Sequence, residues 1–183
     1  MRSIIFTSLL AGAVALPGGA QQFEGECFAR DYSAAHLEAN AMQTVAALSI
    51  RFTPADGGGF DGMAWVSAVM ADTPETVRQG VAGQRIDQIT LCEPLDRAWN
   101  GGPRDAWIKA GVMTCFAECD AGMFQITRSA PDSITIKTNG LVLGEDDGCG
   151  GTSMLADVGD SPTGYVTTSY RLDAAPLAAC PEF

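Results

Sequence analysis

The chain has 183 residues and a formal net charge of −11, a length that suits one domain with its own core. Lys109 and Lys137 are its only lysines, which leaves little from which to build a basic patch. Such a surface repels phosphate backbones, which removes nucleic acid and anionic lipid from the expected partners.

Residues 1–20 read as a secretory signal peptide: Arg2 precedes the apolar run Ile4 to Leu16, and Pro17-Gly18-Gly19-Ala20 supplies the small residues of a cleavage site. The run falls short of the roughly 20 apolar residues that cross a bilayer, and no other stretch is long and apolar enough, so no membrane span is expected. Residues 21–183 form one domain in this reading, and the expected location is extracytoplasmic, either periplasmic or secreted.

The mature part opens with a short helix. Ser33 to Ala39 are good helix formers after a possible cap at Asp31 or Ser33. From Gln43 the period becomes two, with Leu48, Ile50 and Phe52 on one side and Ser49 and Arg51 on the other, which predicts a half-buried strand. The Gly-rich stretch 54–59 is a loop, and Met63 to Met70 a second strand. Arg85 to Cys92 and Ala106 to Phe116 are further strand candidates around the turn-rich Trp99 to Pro103. Met123 to Thr127, Ile134 to Lys137 and Leu141 to Leu143 follow closely, with a turn at Pro131-Asp132 and a two-residue hairpin signal at Asn139-Gly140. Tyr165 to Leu172 is the last alternating segment. The fold class expected is therefore all-β and mainly antiparallel, a small sandwich or barrel with one short N-terminal helix. Its core should include Leu48, Ile50, Phe52, Phe124, Ile126, Ile134 and Ile136.

Six cysteines, an even number in an exported chain, read as a disulfide framework, for which 15 connectivities exist. Topology favours Cys27 with Cys180, tying both ends of the domain, Cys92 with Cys115, ending two candidate strands, and Cys119 with Cys149. The chief rival joins Cys115 to Cys119 across a tight turn. That segment, Cys115-Phe116-Ala117-Glu118-Cys119, resembles the Cys-x-x-x-Cys of periplasmic copper-delivery proteins of the Sco type. The resemblance covers five residues, with Asp120 where the family has proline and no downstream histidine, since His36 is the single histidine. It implies copper or dithiol chemistry at Cys115 and Cys119.

Glu145, Asp146 and Asp147 lie among glycines, a hard oxygen donor set that suits calcium, with Asp157 or Asp160 as additions. EF-hand spacing is absent, so a solvated acidic turn is the preferred reading and no cofactor is assigned. Trp65, Trp99 and Trp107 are the candidate binding residues for a carbohydrate or apolar ligand, with Trp99 in a Gly/Pro-rich loop the least readily explained as core. His36 has no second histidine or Gly-x-Ser-x-Gly elbow to work with and reads as a surface or packed residue. The leading expectation is a non-catalytic binding, accessory or inhibitor module for a small ligand or an envelope protein. An extracytoplasmic metal or thiol-redox protein is the alternative, and a hydrolase with an unlocated acidic pair the third reading.

Overall fold

The computed structural model describes residues 23, 25–55, 59–96, 106–144, 151–161 and 163–181. Eleven strands and two short helices follow in the order β1 (Cys27–Asp31), α1 (Ala34–Ala39), β2 (Val45–Thr53), β3 (Gly62–Met70), α2 (Pro74–Gln79), β4 (Arg85–Pro94), β5 (Met113–Phe116), β6 (Gly122–Ala130), β7 (Ser133–Leu143), β8 (Ser153–Leu155), β9 (Asp157–Val158), β10 (Tyr165–Val166) and β11 (Thr168–Ala175). Each strand from β1 to β7 pairs antiparallel with the next, and β11 pairs with both β7 and β1. Those eight strands close into a barrel, the form that leaves no edge among them. Strand β8 adds to β7, and β9 and β10 form a separate two-stranded ribbon.

Period-two alternation decides what faces inward. The pairs Phe28↔Ile50, Ile50↔Val66 and Tyr170↔Ile136 bring large side chains of successive strands to one level of the interior. All seven expected core residues are buried, together with Phe28, Val66, Leu141, Leu143, Leu155, Tyr170 and Leu172. The lumen is filled by side chains, as an eight-stranded barrel of this diameter allows. Phe23 joins this core, packing its ring against Phe52 at 5.2 Å and edge-on to Phe28 at 6.1 Å.

Two cystines fasten this frame. Cys27 and Cys180 join across 153 residues, and Cys92 and Cys115 join as direct cross-strand partners of β4 and β5. Cys119 is also disulfide-bonded, to a partner outside the described residues. The first two assignments drawn from topology are thus present, whereas the rival Cys115–Cys119 bridge is not formed.

Four local expectations need correction. A second helix, α2, stands between β3 and β4, capped by Thr73, whose side chain exchanges hydrogen bonds with Thr76, with Pro74 in its first turn and Gly80 at φ 75° closing it. Of the strand expected over Ala106 to Phe116 only β5 forms, because residues 106–112 fold back over the outer wall instead. The Tyr165 to Leu172 segment is broken at Thr167 into β10 and β11, the latter running on to Ala175.

Asn139-Gly140 is not a hairpin. Gly122 pairs with Leu141 and Phe124 with Thr138, so Asn139 and Gly140 together oppose Met123 in a β-bulge, and β7 continues through it. A reversal there would strip the start of β6 of its partner. The bulge brings the two backbones so close that a Cβ on Gly122 would lie 2.0 Å from the Gly140 carbonyl oxygen, which explains glycine at that position.

Candidate functional site

Both helices and the β8 to β10 excursion gather at one end of the barrel, above a polar cluster. The Tyr32 ring stacks on His36 at 4.9 Å, and the Arg30 guanidinium lies 5.3 Å from the Tyr32 centroid. Gln43 donates its amide N–H to the Val45 carbonyl at 2.6 Å, which leaves its Oε1 to accept from His36 Nε2 at 3.0 Å. In the neutral tautomer this bond places the His36 proton on Nε2. Tyr170 donates to Asp157 Oδ1 at 3.2 Å, and Thr168 Oγ1 accepts from the Asp157 backbone N–H at 2.9 Å. Burial raises the Asp157 carboxyl above its ordinary value, opposed by the hydrogen bonds from Tyr170 and Thr168 and by His36. Burial likewise lifts the Tyr32 phenol to about 12 and Tyr170 well above its ordinary range.

These groups satisfy one another and strap the β8–β9 segment to the connection before β2. Thr44 Oγ1 donates to the Ala156 carbonyl at 2.8 Å, and Val158 N–H to the Met42 carbonyl at 3.0 Å. His36 is a packed residue here, as expected from the sequence.

A concave surface lies on the outer wall, along β5. It is a cleft of about 570 Å³ lined by Glu93 and Leu95 at the end of β4, Ile108 in the returning loop, Phe116 and Ala117, Asp120, Gly122 and Met123, and Asn139 of the bulge. Outward positions of a barrel wall are expected to be polar, yet the row Met63, Leu91, Phe116 and Met123 is apolar across four paired strands. Phe60 packs edge-on to Phe116 at 5.5 Å.

Two local devices shape the cleft. Gln125, fully buried and outward-facing, accepts the Lys109 N–H at 2.9 Å and donates to the Lys109 carbonyl at 2.9 Å and to Thr114 Oγ1 at 2.9 Å. It clamps the loop that carries Ile108 onto the wall. At the other side Cys119 and Asp120 both have φ of 59°, and Ala121 N–H donates to the Glu118 carbonyl at 3.1 Å, the geometry of a type I′ turn. Aspartate tolerates this backbone better than most residues.

The structure does not bring the sequence-predicted site residues together. Trp65 sits on the outer wall of β3, half-buried, with its indole N–H on Thr53 Oγ1 at 3.1 Å. Trp107 is buried in the loop over β6, and its indole N–H has no hydrogen-bond partner among the described residues. Neither lines the cleft, whose aromatic residue is Phe116. Trp99, Glu145, Asp146, Asp147 and Cys149 lie outside the described residues. Of the additional oxygen donors, Asp157 belongs to the strapped cluster and Asp160 is exposed beyond β9. Among the described residues no three His, Cys, Asp or Glu side chains converge as a metal site. Cys115 is buried in its cystine with Cys92, so Cys115 and Cys119 do not face each other as a dithiol.

Sequence reasoning missed Leu95, Phe116 and Met123. The signal for Phe116 and Met123 is the consecutive apolar pairs Cys115-Phe116 and Met123-Phe124, since a strand that turns one member inward must turn the other out.

Fold and surface define a class: a closed antiparallel β-barrel with a filled interior and a concave apolar surface on its outer wall. Comparison of the chain with protein-family models, curated proteins and solved structures finds no match. Among the described residues no helix is long and apolar enough to cross a membrane.

Proposed function

We propose that this chain is a non-catalytic extracytoplasmic binding module that takes its ligand in the cleft along β5. The observation that supports this reading is the placement of apolar surface. The lumen, where an eight-stranded barrel could hold a ligand, is filled by residues such as Phe28, Ile50, Phe124 and Tyr170. Phe116, Met123 and Leu95 are nevertheless spent on the outside, around a hollow whose volume lies within the range of small-ligand sites. Export fits the buried cystines, because an oxidising compartment maintains such bonds.

Amide-resolved NMR of the purified protein, titrated with a panel of small organic fragments, tests the site. Shift changes should concentrate at Leu95, Ile108, Phe116, Met123 and Asn139. Changes centred on the Tyr32–His36 end would place binding elsewhere and overturn the assignment.

A further inference from the structure

Resting on the reading of the β5 cleft as a ligand site, we infer that it selects a small organic cation with an apolar body, an arylalkyl- or alkylammonium ion. The ionisable side chains lining the cleft among the described residues are Glu93 and Asp120, both carboxylates, and no basic side chain joins them. Lys109, next to Ile108, is exposed and is not part of the lining.

Neither carboxylate has a side-chain hydrogen bond or ion pair among the described residues. Three other carboxylates do have an arginine partner: Glu75 meets Arg78, Asp87 meets Arg85 at 3.0 Å, and Asp173 meets Arg171 at 3.3 Å. In the cleft two like charges border an apolar floor of Leu95, Ile108, Phe116 and Met123 with no counterion from the described chain. Apolar walls strengthen the field of a bordering carboxylate, and a bound cation supplies a counter-charge to both.

The floor and the rim then suit different parts of one molecule. Leu95, Ile108 and Met123 cover a hydrocarbon or aryl body, and Phe116 is the aromatic ring in the lining, a residue type that attracts cations. Asn139, set at the edge by the bulge, adds an amide. A net charge of −11 steers cations toward the surface before contact. The volume of about 570 Å³ falls within the range of small-ligand sites and so suits a free amine.

Isothermal titration with three probes of similar shape tests this: phenethylammonium, neutral phenethyl alcohol and anionic phenylpropionate. The ammonium should bind about tenfold more tightly than the alcohol and the carboxylate most weakly, with the preference shrinking as salt rises. Glu93→Gln and Asp120→Asn keep side-chain size, and asparagine tolerates the left-handed backbone at 120. Each should weaken ammonium binding several-fold and alcohol binding distinctly less, so that the ammonium preference shrinks, with melting curves of both variants matching the parent. Equal binding of ammonium and alcohol, or tighter binding of the carboxylate, overturns the cation inference and leaves the ligand site standing. Failure of all three probes to bind overturns both.

Discussion

Asp157 illustrates how one buried group sets a pH dependence. Its carboxyl is raised above the ordinary 3.8, first by burial, with the hydrogen bonds from Tyr170 and Thr168 and the field of His36 pulling the other way. A carboxyl raised in the folded state holds its proton more tightly there than in the unfolded chain. Its contribution to stability is therefore most favourable below the unfolded pKa near ~3.9 and is lost as pH rises through the folded value. Asp157→Asn keeps an acceptor for the Tyr170 hydroxyl and removes the ionisation. Urea unfolding from pH 3 to 7 should show the variant gaining on the parent as pH rises, with little difference at pH 3. A parent that gains on the variant over that range would show the carboxylate to be favoured by folding.

One side chain, Gln125, hydrogen-bonds the returning loop to β6, and this is where the element scale is most exposed to mutation. Gln125 satisfies both backbone groups of Lys109 as well as Thr114, with all its polar atoms out of water. Leucine has similar volume and none of these bonds, so Gln125→Leu removes three hydrogen bonds, two of them part-buried, at about 0.5–1.5 kcal/mol each. The expected loss of stability is about 2–4 kcal/mol, accompanied by faster hydrogen exchange at the Lys109 amide. The cleft would lose the wall carrying Ile108, so ligand binding should weaken while the barrel stays closed. Unchanged Lys109 exchange in the variant would show that the loop is held by other contacts.

For the whole molecule the two cystines act at very different chain distances. Closing 153 residues through Cys27 and Cys180 removes more unfolded-state freedom than closing 23 through Cys92 and Cys115. On the chain-entropy model these are worth about 5 and about 3 kcal/mol respectively. Guanidinium unfolding should therefore rank Cys27→Ala/Cys180→Ala below Cys92→Ala/Cys115→Ala in stability. The reverse order would mean that the ends are held by their packing, with the Phe23, Phe28 and Phe52 rings as the principal contacts.

Local chemistry by itself determined the β class, the helix capped at Ser33, the core residues of β2, β6 and β7, and two of the cystines. These follow from period-two alternation, a side-chain cap and the proximity of chain ends, all of which act over short stretches or on the chain as a whole. The cap and proline of α2 were equally legible at Thr73 and Pro74. Only the tertiary structure decided between sandwich and barrel, because closure depends on β11 returning between β7 and β1 after the β8 to β10 excursion. It also turned Asn139-Gly140 from a reversal into a bulge, since the partner strand β6 demanded a continuous neighbour. The cleft belongs to this second kind. Glu93, Phe116, Asp120 and Asn139 come from four separate segments, and what unites them is the outer face of a closed wall, a relation set by strand register across the sheet.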